Sequence, residues 1–462
     1  MQSFKALFAY KILLCLAVLS AFSCSINEKA LRTIDNAVIK EKFQDGLKEL
    51  DEAQEKKQPL FTKKNIILLY LNRGQIAHYA GKWDESIKYL QAAEKSISDA
   101  FAKSISENVA SYILNDNVKD YTGEDYEDVY LNVFCALDYY FKNDIDGALV
   151  EIRRSNEKLR VLANKYENIN QEMKKNYADN LKNVKQLNTK PVQFSNSALT
   201  DYLGALFYIA DGSYDDARVN MVQLQQAFQT APNVYSNSIP PSLVLSGNYG
   251  SETCKELQRP KEMGRLNIVS FTGLSPIKKE EIFPFVLPFK YGLDYAQIRY
   301  PVLSPRGDTI TKISVSVYAK GDDKTPVKMV ELDLLEDIGK AITDTFNARQ
   351  SVIMLKTVIR TIVKYASVYV LAEAGAQAAD SEAVGMLTAL AAKTAFDASE
   401  RADVRMERYL PAKAWVGYVD LPPDNYTVKT TYFSGSSKAS VNVKSIQVYK
   451  GELNILEDVC LK

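Results

Sequence analysis

The 462-residue chain is 46% hydrophobic and 25% charged, which excludes wholesale disorder and supplies apolar material for two or three packed cores. Its 57 basic and 57 acidic residues cancel, which argues against general nucleic-acid binding, because that requires a basic face to displace condensed counterions. A single histidine, His78, leaves Ser-His-Asp, Cys-His and His-rich metal chemistry resting on one residue, so composition leans away from an enzyme and predicts neither metal nor cofactor.

Residues 1–23 read as a targeting signal. Lys5 and Lys11 make a positive n-region, and Ile12 to Phe22 form an apolar run of eleven residues. That is too short for a bilayer span, which needs about 20 apolar residues. The run ends at Ala21-Phe22-Ser23-Cys24, which resembles the lipobox of bacterial lipoproteins, with Ala21 where leucine is usual. The resemblance implies cleavage before Cys24 and acylation of its sulfur. The alternative is ordinary secretion with cleavage near Ser20 to Ser23. Of the remaining cysteines, Cys135 is expected to pack as a small hydrophobe, and a Cys254–Cys460 bridge is left open.

From 24 to 230 the chain is expected to be helical throughout, starting with a helix over roughly Ala37–Lys56. Three segments share a helix–turn–helix pattern: Leu71–Glu94, Leu131–Lys158 and Tyr202–Phe228. Gly74, Ala136 and Ala205 are small where the first helix must approach the second. Gly81, Asn143 and Gly212 can take the positive φ that ends a helix. Asp84, Asp146 and Asp215 favour the next helix start, and Trp83, Ile145 and Tyr214 are expected to pin the turn. Ser86, Ala148 and Ala217 are small at the second-helix contact. These segments resemble tetratricopeptide repeats. Their turns lie 62 and 69 residues apart, about twice the usual period of about 34, so extra helices over Ser96–Leu114 and Glu157–Leu187 are expected in the gaps.

Such a superhelix would leave a groove for a protein or peptide partner. Tyr121–Tyr130 clusters four carboxylates and three tyrosines, and Arg153 and Arg154 follow on the next helix. Tyr126, Glu127, Arg153 and Arg154 are therefore the candidate residues, either for the partner groove or for a structural ion pair between the two segments. His78 is expected to be a partly exposed residue of a repeat helix rather than a catalyst.

Residues 231–262, rich in Pro, Ser, Asn and Gly, read as a linker. The remainder, 263–462, alternates β-like runs: Arg265–Phe271, Gln297–Val302, Lys312–Tyr318, Val327–Leu332, Ala414–Val419, Tyr426–Tyr432, Ala439–Tyr449 and Leu453–Asp458. A helical hairpin over about 333–403 interrupts them, and its recurrent charges argue against membrane insertion. The fold class is thus α+β: a tetratricopeptide-like helical superhelix, then a mostly antiparallel β domain with an inserted helical hairpin.

Several segments, Gly74–Glu94, Tyr121–Asn156 with its Val150–Arg154 core, Gly264–Lys278 and Arg401–Arg405 with Leu410-Pro411, are similar to an uncharacterised family of bacterial tetratricopeptide-containing lipoproteins. Met406-Glu407 stands where that family would have Ser-Trp. The resemblance implies architecture and address, a lipid-anchored envelope protein, and no activity. Ser155-x-x-Lys158 and Ser275-x-x-Lys278 have the spacing of serine–lysine acyl enzymes but lack the partner motifs. Asp403 with Arg401 and Arg405 reads as an ion-pair cluster joining hairpin to sheet.

The expected function is therefore a protein-interaction scaffold, assembly factor or regulator of envelope machinery, tethered by Cys24 to a membrane, with the outer membrane facing the periplasm as the expected address. The alternatives are a cell-envelope hydrolase and a lipid or small-molecule carrier.

Overall fold

The computed structural model describes residues 28–105, 119–176, 192–248, 250–289 and 292–462. Residues 1–23, expected to be a targeting signal, and Cys24 lie outside these residues.

The fold is mixed α+β, with helices in the first half and a sheet-rich second half. Eight helices are described first: α1 Glu28–Ile39, α2 Phe43–Gln54, α3 Ile66–Tyr79, α4 Trp83–Ile105, α5 Asp125–Phe141, α6 Ile145–Asn176, α7 Ala198–Asp211 and α8 Tyr214–Thr230. The single helix expected over Ala37–Lys56 is two, because Glu41 takes a left-handed φ of 58° between α1 and α2. Within the described residues, the spacing between turns is filled by lengthening α4 to 23 residues and α6 to 32, where separate helices were expected.

The turn chemistry follows the sequence. Gly81, Asn143 and Gly212 have φ of 70°, 60° and 85°. Asp84, Asp146 and Asp215 occupy first turns, where a carboxylate meets the positive end of the helix dipole. Gly74 is required by close approach: a Cβ there would meet Leu90 Cγ and Cδ2 at 2.6 Å. Trp83 stacks on Phe141 with centroids 4.7 Å apart, whereas Tyr214 is 65% exposed and pins nothing.

The strands are β1 Gly264–Leu274, β2 Ile277–Phe289, β3 Gly292–Ser304, β4 Lys312–Ala319, β5 Lys328–Asp337, β6 Pro411–Leu421, β7 Asp424–Ser434, β8 Ser437–Val448 and β9 Asn454–Cys460. Helices α9 Ile338–Ala379 and α10 Glu382–Ser399 lie between β5 and β6 in the chain. Residues Asp333–Asp337, expected to be helical, instead complete β5; the helix begins after Asp337, whose carboxylate accepts from the Lys340 amide.

Seven strands form one sheet in the order β8-β7-β4-β5-β6-β1-β9, antiparallel except for the β1–β9 pair. Its two edges meet: Asn442 on β8 donates to the Val459 carbonyl and the Asp458 carboxylate of β9, at 2.9 and 2.8 Å. The curled sheet encloses one apolar cluster, including Ile268, Ile313, Val315, Trp415, Val428 and Leu456. The neighbouring positions Val269 and Phe271 face the other way, as the twofold period of a strand dictates. They join a second cluster that runs on through α1–α8, so one core crosses from helices to sheet.

Strand β2 was not expected, because Lys279-Glu280-Glu281 and Pro284 disguise it. It pairs with β3 over Ile277↔Ser304 to Phe289↔Gly292 as a separate two-stranded ribbon, in which Arg299 answers Glu280 at 2.7 Å. Segment 231–262 lacks long elements, yet Val234, Leu243 and Cys254 are buried against helices and sheet. Cys135, Cys254 and Cys460 are all buried free thiols, so the Cys254–Cys460 bridge is not formed.

Helices α3, α5 and α7 form an inner layer. Phe134 meets Phe271 (5.3 Å), Tyr140 donates to the Leu453 carbonyl (3.0 Å), and Tyr130 donates to Glu336 (2.7 Å). Helices α4, α6 and α8 pack outside them and carry the solvent-facing residues. The inner helices thus spend their free face on the chain's own sheet.

Candidate functional site

Tyr126 and Glu127 stand in the first turn of α5, where Glu124 and Glu127 form a capping box. Both are sealed inside. Glu127 accepts from Tyr121 Oη (2.7 Å), the Glu124 amide (2.9 Å) and the Glu407 amide (2.6 Å). Burial, then the charge of Glu124, pushes the Glu127 carboxyl up to about 7 against the hydrogen bonds that pull it down. Glu407 lies well above the ordinary carboxyl range, through burial and then the Glu127 charge, and its Oε1 has no hydrogen-bond partner.

Cations ring this acidic centre. Lys278 pairs with Glu124 and Arg349 reaches its other oxygen at 2.8 Å. Arg405 holds Asp403 at 2.8 and 2.9 Å, donates to Asn65 and to the Lys119 carbonyl at 3.0 Å, and covers the Tyr121 ring. Burial would raise Asp403, but Arg405 overcomes it and holds the carboxylate below its ordinary value. The Asp403 cluster therefore ties the segment before β6 to the helical half, whereas Arg401 turns to Glu280 at 3.7 Å.

The expected ion pair from Tyr121–Tyr130 to Arg153 or Arg154 goes to Lys158 instead, which holds Asp128 and Glu94 at 2.7 Å. Arg154 pairs with Glu94 at 3.2 Å and Glu151 at 3.0 Å. Successive helical residues diverge by about 100°, so Arg153 faces elsewhere.

Arg153 opens onto a cleft of about 440 Å³ lined by Asn156, Glu157 and Arg160 of α6, Ser195 and Asn196 of the segment before α7, and Gln223 of α8. The segment is firmly placed. The Gln193 and Phe194 amides donate to one Asp344 oxygen of α9 at 2.7 and 2.9 Å, Phe194 is buried, and Ser197 caps α7. Asn156 turns its amide toward Asp201 at 3.4 Å. Glu157 and Arg160 pair at 2.6 Å while more than half exposed. Among the described residues every lining side chain is polar, with Arg153 and Arg160 positive and Glu157 negative, so the cleft suits a polar, hydrogen-bonding occupant.

Arg153 is the one candidate residue in this cleft; Glu127 and Arg154 serve internal networks, and Tyr126 is buried in the core with its hydroxyl unpartnered. The polar stripe Arg153, Asn156, Arg160 at i, i+3, i+7 was a usable signal on α6. Ser195, Asn196 and Gln223 had none, because only tertiary packing brings them there.

The two serine–lysine spacings are packed away: Ser275 Oγ is buried without a hydrogen-bond partner, and Ser155 Oγ lies 3.2 Å from Thr200 Oγ1. His78, expected to be partly exposed, is fully buried between Asp138 and Glu457. Among the described residues, no group of three His, Cys, Asp or Glu side chains could hold a metal ion, and no helix is long and apolar enough to cross a membrane. Comparison with protein-family models, curated proteins and solved structures finds no match for the chain.

Proposed function

We propose that this chain is a lipid-anchored envelope protein that holds a protein or peptide partner in the α6–α8 cleft, as a scaffold, assembly factor or regulator and not as an enzyme. The observation that carries the reading is the cleft itself, an open groove of Arg, Asn, Gln, Ser and Glu on the outer helical layer. The carboxylates that a hydrolase would need, Glu127 and Glu407, are sealed in the joint between the halves.

In this reading α3–α4, α5–α6 and α7–α8 are three degenerate tetratricopeptide-like pairs of a short superhelix. Support comes from the left-handed turn residues Gly81, Asn143 and Gly212 and from the Gly74–Leu90 approach. Helices α9 and α10 form the inserted hairpin. The sheet covers the inner helix faces and stiffens the stack, so docking falls to the outer layer. Cys24, four residues before Glu28, is the acylation site, and the body faces the periplasm from the outer membrane.

Two measurements test this. Palmitate labelling should require Cys24 and respond to globomycin; if Cys24→Ala neither abolishes labelling nor releases the protein to the soluble fraction, the anchor is wrong. Crosslinking in cells and affinity capture should recover one stoichiometric envelope partner, and clean isolation without one overturns the scaffold.

A further inference from the structure

We infer that α10 carries a dimerisation seam whose occupant is α10 of a second copy of this chain, packed antiparallel. The inference stands apart from the α6–α8 cleft and its docking role.

One side of α10 is committed to α9. A Cβ added at Gly385 would meet Ala376 Cβ at 2.8 Å, one added at Gly375 would meet Thr388 Oγ1 at 2.7 Å, and Ala392 is buried. Helical residues turn by about 100° each, so Ala383, Leu387, Leu390 and Thr394 fall on the opposite side. All four are exposed, Leu387 at 66% and Leu390 at 62%, with Met386 beside them at 59%. The Thr394 hydroxyl donates to the Leu390 carbonyl at 2.8 Å, so it adds no unpaired donor to the stripe. Steps of four, three and four residues are the heptad spacing by which one helix receives another.

Charge and shape select the occupant. From Tyr365 to Ala392 the chain contains Glu373, Asp380 and Glu382 and no Lys or Arg, whereas helices that lie on a bilayer surface carry a basic polar face. Parallel pairing with a second copy would gather Asp380 and Glu382 of both chains at one end. Antiparallel pairing separates them and brings each acidic tip level with residues 395–397 of the other copy. At that end Arg360 and Lys364 share Glu400, and Lys393 and Asp397 lie close by in the chain, so basic groups outnumber acidic ones.

The stripe also complements itself. With the twofold axis between Thr388 and Ala389, Leu387 of each copy packs against Leu390 of the other, and Ala383 against Thr394. Leucine meets leucine in the middle and small meets small at the ends, which is how one surface patch closes a symmetric dimer. With three large apolar side chains per copy, the seam falls short of the about 1,200–2,000 Å² of a stable interface, so the dimer is a weak one.

Sedimentation equilibrium of the whole mature chain should show monomer and dimer exchanging with a dissociation constant on the order of 10 μM. Leu387→Glu and Leu390→Glu should each weaken the dimer at least about tenfold, because a carboxylate would enter an apolar seam. Both positions are exposed in the single chain, so unfolding curves should match the parent. Val370→Glu, exposed on α9 away from the seam, should leave the dimer intact. Oxidation reads the direction: Ala383→Cys chains mixed with Thr394→Cys chains should give the mixed disulfide in excess over either self-linked product. In cells, a photocrosslinking residue in place of Leu387 should give a product of twice the chain mass. A parent that stays monomeric at about 100 μM, equal dimerisation by Leu387→Glu, or self-linked Ala383→Cys as the main product overturns the inference. So does a crosslink from position 387 to a different protein, or flotation with phosphatidylethanolamine–phosphatidylglycerol vesicles that Leu387→Glu abolishes.

Discussion

His78 Nε2 lies 3.0 Å from Glu457 Oε1, across 379 residues of chain, while Nδ1 lies 2.7 Å from Asp138. The only imidazole thus joins the end of α3 to β9, and its ring edge packs on Phe134 at 4.9 Å. Burial alone would lower its pKa, but Glu457 and Asp138 overcome that and raise it from 6.5 to about 10. It is therefore an imidazolium at neutral pH, bridging the helical and sheet-rich halves.

Replacing His78 by Gln should be costly, because a neutral amide leaves two buried carboxylates without a counter-charge. Breaking a buried pair costs about 3–5 kcal/mol, to be read by urea unfolding at pH 7. A folded pKa above the unfolded one gives stability that is complete below about 6.5 and lost as pH rises toward about 10. The parent should lose this increment between neutral and alkaline pH, and His78→Gln should not. Equal alkaline losses in both would show that the bridge carries no charge.

Glu127 and Glu407 predict the opposite end of the pH scale. A carboxyl raised from 4.5 to about 7 makes the folded state hold a proton that the unfolded state gives up. Stability contributed by Glu127 should therefore be greatest below pH 4.5, fall by about 3 kcal/mol as pH rises to about 7, and level off above it. Burial, then the Glu127 charge, favours the protonated form of Glu407, so Glu407→Gln should change stability at pH 6 by less than about 1 kcal/mol, as an amide imitates a neutral acid. A large loss on that substitution would mean that the carboxylate is ionised.

Glu336 gathers the helices onto β5. It accepts from Tyr235 Oη at 2.6 Å, Tyr130 Oη at 2.7 Å, Ser197 Oγ at 3.0 Å and the Leu199 amide at 3.1 Å. Tyr235→Phe should cost about 2 kcal/mol, in the range for a hydrogen bond to a charged group. Glu336→Leu should cost more, since it orphans every donor at once. In the Glu336→Leu background the loss on Tyr235→Phe should largely vanish. A double-mutant cycle reads this, and additive losses would contradict a shared network.

Gly74→Ala should destabilise by about 1–3 kcal/mol, as overpacking outweighs the gain in helix propensity. The added Cβ meets the fully buried Leu90 at 2.6 Å. Restoration by Leu90→Val in the Gly74→Ala chain would tie the effect to that contact; thermal melts of both variants decide it.

Local signals were legible because they depend on neighbours in the chain. A left-handed turn at Gly81, a carboxylate at the start of a helix, and alternation along Ile313–Tyr318 each act within a few residues. Strand β2 and the break at Glu41 escaped for the converse reason. The charged run of β2 becomes a strand because β3 supplies Arg299 and a complete hydrogen-bond register, and nothing in the residues around Glu41 announces a left-handed φ.

The first counts were an even charge balance and one histidine. By itself the sequence determined the mixed α+β order of elements, the turn residues and the small positions between paired helices. Only tertiary structure decided where the charges went. It buried His78 between carboxylates from two halves, sealed Glu127 against Glu407, and sent Arg153 to an open cleft while Arg154 joined an internal pair. Helical period and backbone φ are set locally, but the partner of a buried charge is chosen by whichever distant segment packing brings to it.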